Sequence, residues 1–162
     1  MSADRPVGHG TRDPAPRPGT DTGRGKAYEG KAYEGQGITV TFDAWRCLHA
    51  AECVRGLPRV FDTARRPWID PDAAPAPEVA DVVRRWPSGA LQYTLAEGPD
   101  ESPDAPTIVA RASDGRIEVR GDLRIAAPDG TEWTETRVTL CGCGSSARLP
   151  LCDHSGACGR ET

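Results

Sequence analysis

The stretch CGCGSSARLPLCDHSG, residues 141–156, holds three of the six cysteines and one of the three histidines of this chain. Cys141 and Cys143 form a C-x-C pair, Cys152 follows in C-x8-C spacing, and His154 and Cys158 lie two and six positions beyond it. Thiolates this close together suit soft metals: zinc, copper(I) or iron–sulfur clusters. A structural zinc knuckle usually separates its cysteines by roughly two to four residues, so C-x-C is tight for one. It can instead offer both sulfurs to one iron of a two-iron cluster, with Cys152 and one further ligand on the second iron. His154 and Cys158 both compete for that last place. Neither shares a helical face with Cys152, so either must reach it from a loop, which Ser155 and Gly156 favour. A cysteine there would generally lower the reduction potential relative to histidine. A histidine would make potential and cluster release sensitive to pH near neutrality. Pro150 stiffens the approach to Cys152, and Asp153 is placed to cap the turn after it.

A second pair, Cys47 and Cys53, is spaced C-x5-C with His49 between them. Two cysteines in a small domain are commonly packed core residues, so this spacing alone is a weak signal.

These residues need elements to position them, and the composition limits what those can be. Hydrophobic residues make up 37% of the 162 and aromatics 6%, against 18 Gly and 15 Pro, which is too little for one large core. Small domains, long connections and a disordered tail over residues 1–25 follow, with metal ligation as the staple. The pentapeptide KAYEG occurs at 26–30 and again at 31–35, and only the second copy need join the fold. GITVTF alternates as a half-buried strand, CLHAAECVRGL reads as a helix, and APEVADVVRRW places Val79, Val82, Val83 and Trp86 on one helical face. PSGALQYTL returns as a strand through Leu91, Tyr93 and Leu95. The loop TARRPW is expected to hang from Trp68, with Arg65 and Arg66 in solvent. Residues 97–106 form an acidic, proline-rich linker. Three strands then follow, broken by Ser113-Asp114-Gly115 and Pro128-Asp129-Gly130, and they lead into the cysteine loop. The expected class is α+β, with a domain over 33–96 and a β-rich module over 107–162.

The motifs carry two resemblances. CGCGSSARLPLCD is similar to the CDGSH iron–sulfur family, whose pattern is C-x-C-x2-[ST]-x3-P-x-C-D-G-[STA]-H. Cys141, Cys143, Ser146, Pro150, Cys152, Asp153 and Ser155 fall on it, a specific match. The family implies a 2Fe–2S cluster on three cysteines and one histidine. The histidine position is Gly156 here, and His154 stands where the family has glycine. Upstream, CVRGLPRVFD and PSGAL resemble the divergent single-cluster ferredoxin domain, whose ligands are two cysteines six apart and a distant Cys-Pro. That last position is Trp86-Pro87 here. A degenerate ferredoxin-like fold without a cluster is therefore favoured, its indole filling the cluster's space. A second iron–sulfur cluster on Cys47 and Cys53 is the alternative, and it would need help from a residue such as His49.

The expected function is a non-enzymatic iron–sulfur protein engaged in electron transfer, redox sensing or cluster transfer with a protein partner. No nucleophile–base pair and no phosphate-binding fingerprint is present. A small zinc module is one alternative, and a metal-free thiol protein cycling Cys47/Cys53 or Cys152/Cys158 is another. The net charge of −4 argues against a nucleic-acid partner. The absence of long apolar runs argues against a signal peptide or membrane span, so the expected setting is cytoplasmic. There, cysteines favour metal over disulfides. The CDGSH resemblance leaves a homodimer open.

Overall fold

The computed structural model describes residues 30–47 and 52–158. The tail expected at 1–25, and His49, lie outside the described residues. The architecture is α+β, as expected, and consists of two three-stranded antiparallel sheets joined by a linker.

The first sheet contains β1 (Lys31–Glu34), β2 (Ile38–Phe42) and β3 (Leu91–Leu95), in the order β1-β2-β3. β1 is the second KAYEG copy, which joins the fold through Tyr33 opposite Val40. The alternation seen in GITVTF holds: Ile38 and Val40 point inward, 2% and 0% exposed. Between β2 and β3 come a short α1 (Glu52–Gly56) and a longer α2 (Ala76–Arg85). Proline at its start suits α2, since the first amide has no intrahelical acceptor to lose. Val79 and Val83 of α2 are fully buried, while Arg84 and Arg85 face outward. Trp68 meets Phe42 edge-on, ring centroids 4.8 Å apart, and so anchors its loop as expected. The arginines of that loop are not simply solvated. Arg65 donates to the Val60 carbonyl at 3.1 Å, and Arg66 to the Thr63 carbonyl at 2.8 Å, so both staple the turn.

The second sheet runs β4 (Ile108–Arg111), β5 (Ile117–Ala126) and β6 (Glu132–Leu140), in chain order. Both expected turns are present. Asp114 accepts from the Arg116 amide at 3.1 Å and Asp129 from the Thr131 amide at 2.9 Å, the local bonds that make Asp-Gly a turn signal. The core here is small: Val119, Leu123, Ile125, Trp133, Val138 and Leu151.

A buried polar network joins the two sheets. Arg137 of β6 is only 2% exposed. Its guanidinium donates to the Trp86 carbonyl (2.7 Å), the Leu91 carbonyl (2.8 Å) and both oxygens of Glu101 in the linker (2.8 and 3.0 Å). Next to it, Glu135 pairs with Arg46 at 2.7 Å and accepts from Trp133 Nε1 at 2.9 Å and Gln92 Nε2 at 3.3 Å. Gly89 permits the approach, because a Cβ there would stand 2.7 Å from the Arg137 carbonyl oxygen and the backbone is left-handed (φ 67). Gly89→Ala is expected to cost about 1–3 kcal/mol, from the left-handed backbone penalty plus displacement of β6. Urea unfolding of the full chain measures it, and a loss below 0.5 kcal/mol would show that the contact is slack.

Candidate metal centre

The cysteine loop leaves the end of β6 and comes back against it. The Cys141 amide donates to the Pro150 carbonyl at 2.9 Å, the Cys152 amide donates to the Thr139 carbonyl at 3.0 Å, and Leu140 bridges to Leu151. Both arms are thus pinned as if antiparallel strands, which sets Cys152 opposite Thr139 and on the same face as Cys141. Within the loop, Ser146 accepts from the Arg148 amide at 3.0 Å. Asp153 accepts from the Ala147 amide (2.9 Å), the Ser155 amide (3.0 Å) and the Ser155 hydroxyl (2.6 Å), so it does cap the turn. Burial alone would raise the Asp153 carboxyl. The hydrogen bonds from Ser155, Ala147 and Ser146 outweigh it and hold the pKa at about 2. Three of the seven motif positions therefore serve the loop's shape.

The donors form a group of three and a pair. The sulfurs of Cys141, Cys143 and Cys158 all lie within 4.8 Å of one another, and the Cys141–Cys143 separation is 3.7 Å. Cys152 Sγ lies 3.6 Å from His154 Nδ1. Cys158 and Cys152 are buried, 1% and 5% exposed, whereas Cys143 faces solvent. The thiols differ sharply in acidity. Amide donation from Cys158, then from Ser145, pulls Cys143 down to about 6. Burial, followed by the charges of Cys158 and Cys141, pushes Cys152 up to about 12. Burial also raises Cys158, and the hydrogen bond with Cys143 adds to it. Crowded thiols that resist joint ionisation are stabilised by a bound cation, so this donor set fits an iron–sulfur cluster or a single soft ion.

This difference in acidity can be tested on metal-free protein. The thiolate is the nucleophile, so a lowered pKa makes Cys143 reactive above about pH 6. Iodoacetamide at pH 7 is expected to modify Cys143 well before Cys152, at a rate that levels off above neutrality. Peptide mapping reads the order of modification, and Cys152 reacting first would contradict it.

Cys47 and Cys53 belong to the first domain. Cys53 is 7% exposed in the first core, and burial raises its thiol pKa, with the neighbouring Cys47 adding to the rise. Trp86 is 3% exposed in the same core. Residues 33–96 hold only these two cysteines, and Trp86 stands where the resemblance places a third, so the residues described here do not fit a four-iron cluster.

Two features of the site carry no plain signal in the sequence. Gly156 stands where a Cβ would be 2.5 Å from Ser145 Cβ and 2.7 Å from Cys143 Sγ, so no histidine fits there without moving the loop. The exchange of His and Gly in CDHSG is visible, but its consequence depends on this backbone path. The Arg148 guanidinium lies 5.5 Å from the Trp45 ring centroid, which brings the first domain to the loop's flank. Among the described residues no helix is long and apolar enough to cross a membrane.

Comparison with known proteins finds two family matches. The family described as divergent 4Fe-4S mono-cluster matches residues 33–96. The family described as iron-binding zinc finger, CDGSH type, matches residues 114–155. The uncharacterized protein YjdI of Escherichia coli K12 is 42% identical over 59 residues, 36% of this chain and 78% of the relative. Its counterpart in Escherichia coli O157:H7 matches to the same extent. No solved structure matches the chain.

Proposed function

We propose that this chain, which belongs to the divergent 4Fe–4S mono-cluster family through residues 33–96 and to the CDGSH iron-binding family through residues 114–155, is a non-enzymatic carrier of one 2Fe–2S cluster. Cys141, Cys143 and Cys152 would supply three ligands, and His154 or Cys158 the fourth. The observation that carries this reading is the spacing of two donor pairs, 3.7 Å for Cys141–Cys143 and 3.6 Å for Cys152–His154, on a loop pinned at both ends. When bound, such a cluster exchanges single electrons, which suits electron transfer, redox sensing or cluster transfer with a protein partner.

The chain's own residues have separate parts in this. Asp153, Ser146 and Ser155 hold the loop in its binding shape, and Leu151 ties it to the sheet. Exposed Cys143 leaves one side of the site open to a partner. The first domain acts as a scaffold without a cluster. It is built around Trp86 and locked to β6 by Arg137.

Protein purified anaerobically is expected to be coloured, with iron and acid-labile sulfide in equal amounts. Cys141→Ser and Cys152→Ser should each abolish at least nine-tenths of the visible absorption. Colourless protein carrying one zinc would favour the second reading, a zinc module, to which the three sulfurs within 4.8 Å of one another lend support.

A further inference from the structure

We propose that His154, through Nδ1, is the fourth cluster ligand, and that Cys158 is a hydrogen-bonding neighbour of Cys143 rather than a ligand. The assignment rests on the cluster reading above and decides what that reading leaves open. Each iron of a two-iron cluster takes two protein ligands, because the bridging sulfides fill its other two positions.

Two thiolates on one tetrahedral ion with bonds of about 2.3 Å stand about 3.8 Å apart. A thiolate and an imidazole nitrogen bonded at about 2.3 and 2.05 Å stand about 3.6 Å apart. The structure shows 3.7 Å for Cys141–Cys143 and 3.6 Å for Cys152 Sγ–His154 Nδ1. The donors thus fall into two pairs, each with the edge length of one tetrahedron. Cys158 gathers with Cys141 and Cys143, and an iron held by those two would already have its two thiolates.

The backbone supports the same assignment. His154 has φ 61, the left-handed region, and among the described non-glycine residues it alone has positive φ. A strained conformation at a ligand loop points to a constraint on that side chain. Here it turns the imidazole back onto Cys152, two residues away. Position 156 is closed to any side chain by Ser145 and Cys143. The histidine has in effect moved two positions along the chain, and the loop has a glycine at the position it left. Cys158, 1% exposed, sets its amide against the Cys143 sulfur, and a donor to a ligand sulfur raises a cluster's reduction potential.

The test is pulsed EPR of the full-length, reconstituted and reduced protein, with wild type, His154→Cys, His154→Ala and Cys158→Ser compared. Wild type and Cys158→Ser are expected to show one strong nitrogen hyperfine coupling that shifts with histidine-selective 15N labelling. His154→Cys is expected to keep the cluster and lose the coupling. His154→Ala is expected to release its iron at least tenfold faster. A wild type that holds the cluster without the coupling overturns this assignment alone, as does Cys158→Ser losing the cluster while His154→Ala keeps it. A wild type that binds only zinc overturns the cluster reading and this assignment with it. His154→Cys guards against misfolding, since it restores a ligand at the same position.

Discussion

Arg137→Ala is expected to lower the unfolding free energy of the chain by about 3–5 kcal/mol, the usual cost of breaking a buried ion pair from one side. The side chain is 2% exposed and donates four hydrogen bonds. Its loss would leave the Trp86 and Leu91 carbonyls without that donor and the Glu101 carboxylate without its partner. Arg137→Lys should recover less than half, since an ammonium cannot reproduce the forked geometry that reaches two carbonyls and a carboxylate at once. The double variant Arg137→Ala/Glu101→Ala should lose less than the sum of the single losses, because much of the damage is the orphaned charge. Urea unfolding of the metal-free full chain measures all three, and a loss under 1 kcal/mol for Arg137→Ala would mean that the network is decorative. The effect should extend to the metal centre, because β6 runs from Arg137 directly into Cys141.

None of that network was legible in the sequence. Arg137 and Glu135 sit in TEWTETRVTL as ordinary polar positions of a strand, and their partners Trp86, Leu91 and Arg46 lie in a different domain. Local pattern registers a residue's own periodicity and is silent about a partner more than 40 positions away. The strands themselves were legible because their signals are local: alternation in GITVTF, and Asp-Gly turns that bond their own backbone. Of the metal centre, the chemistry was legible in the cysteine spacing, and so was the ambiguity between His154 and Cys158. What favours His154 in our proposal is three-dimensional: two distances, a left-handed residue at 154 and a closed position at 156.

The second large effect concerns the first domain. Trp86→Ala should cost about 3–5 kcal/mol, as expected for truncating a buried tryptophan into a cavity. At 3% exposure the indole packs in one core with Cys53, Val79 and Val83, so on this view that domain's stability rests on apolar packing and not on metal. Stripping metal from the wild type should therefore leave the first domain folded. Trp86→Cys divides the question further. Metal-free, it should be about as unstable as Trp86→Ala, since cysteine fills little of the space. After reconstitution it should take up iron and sulfide beyond the amount held by wild type, and regain part of the lost stability, because ligand binding to the folded state adds to it by mass action. If Trp86→Cys takes up no extra iron, the surroundings of Cys47 and Cys53 have also changed, and one substitution cannot undo the loss. If wild type itself holds a cubane in addition to the two-iron cluster, then the indole does not occupy the place of a cluster, and its fit beside Cys53 needs another cause. Iron content separates the three outcomes, so the measurement that tests the C-terminal cluster, repeated on Trp86→Cys, decides what the first domain still does.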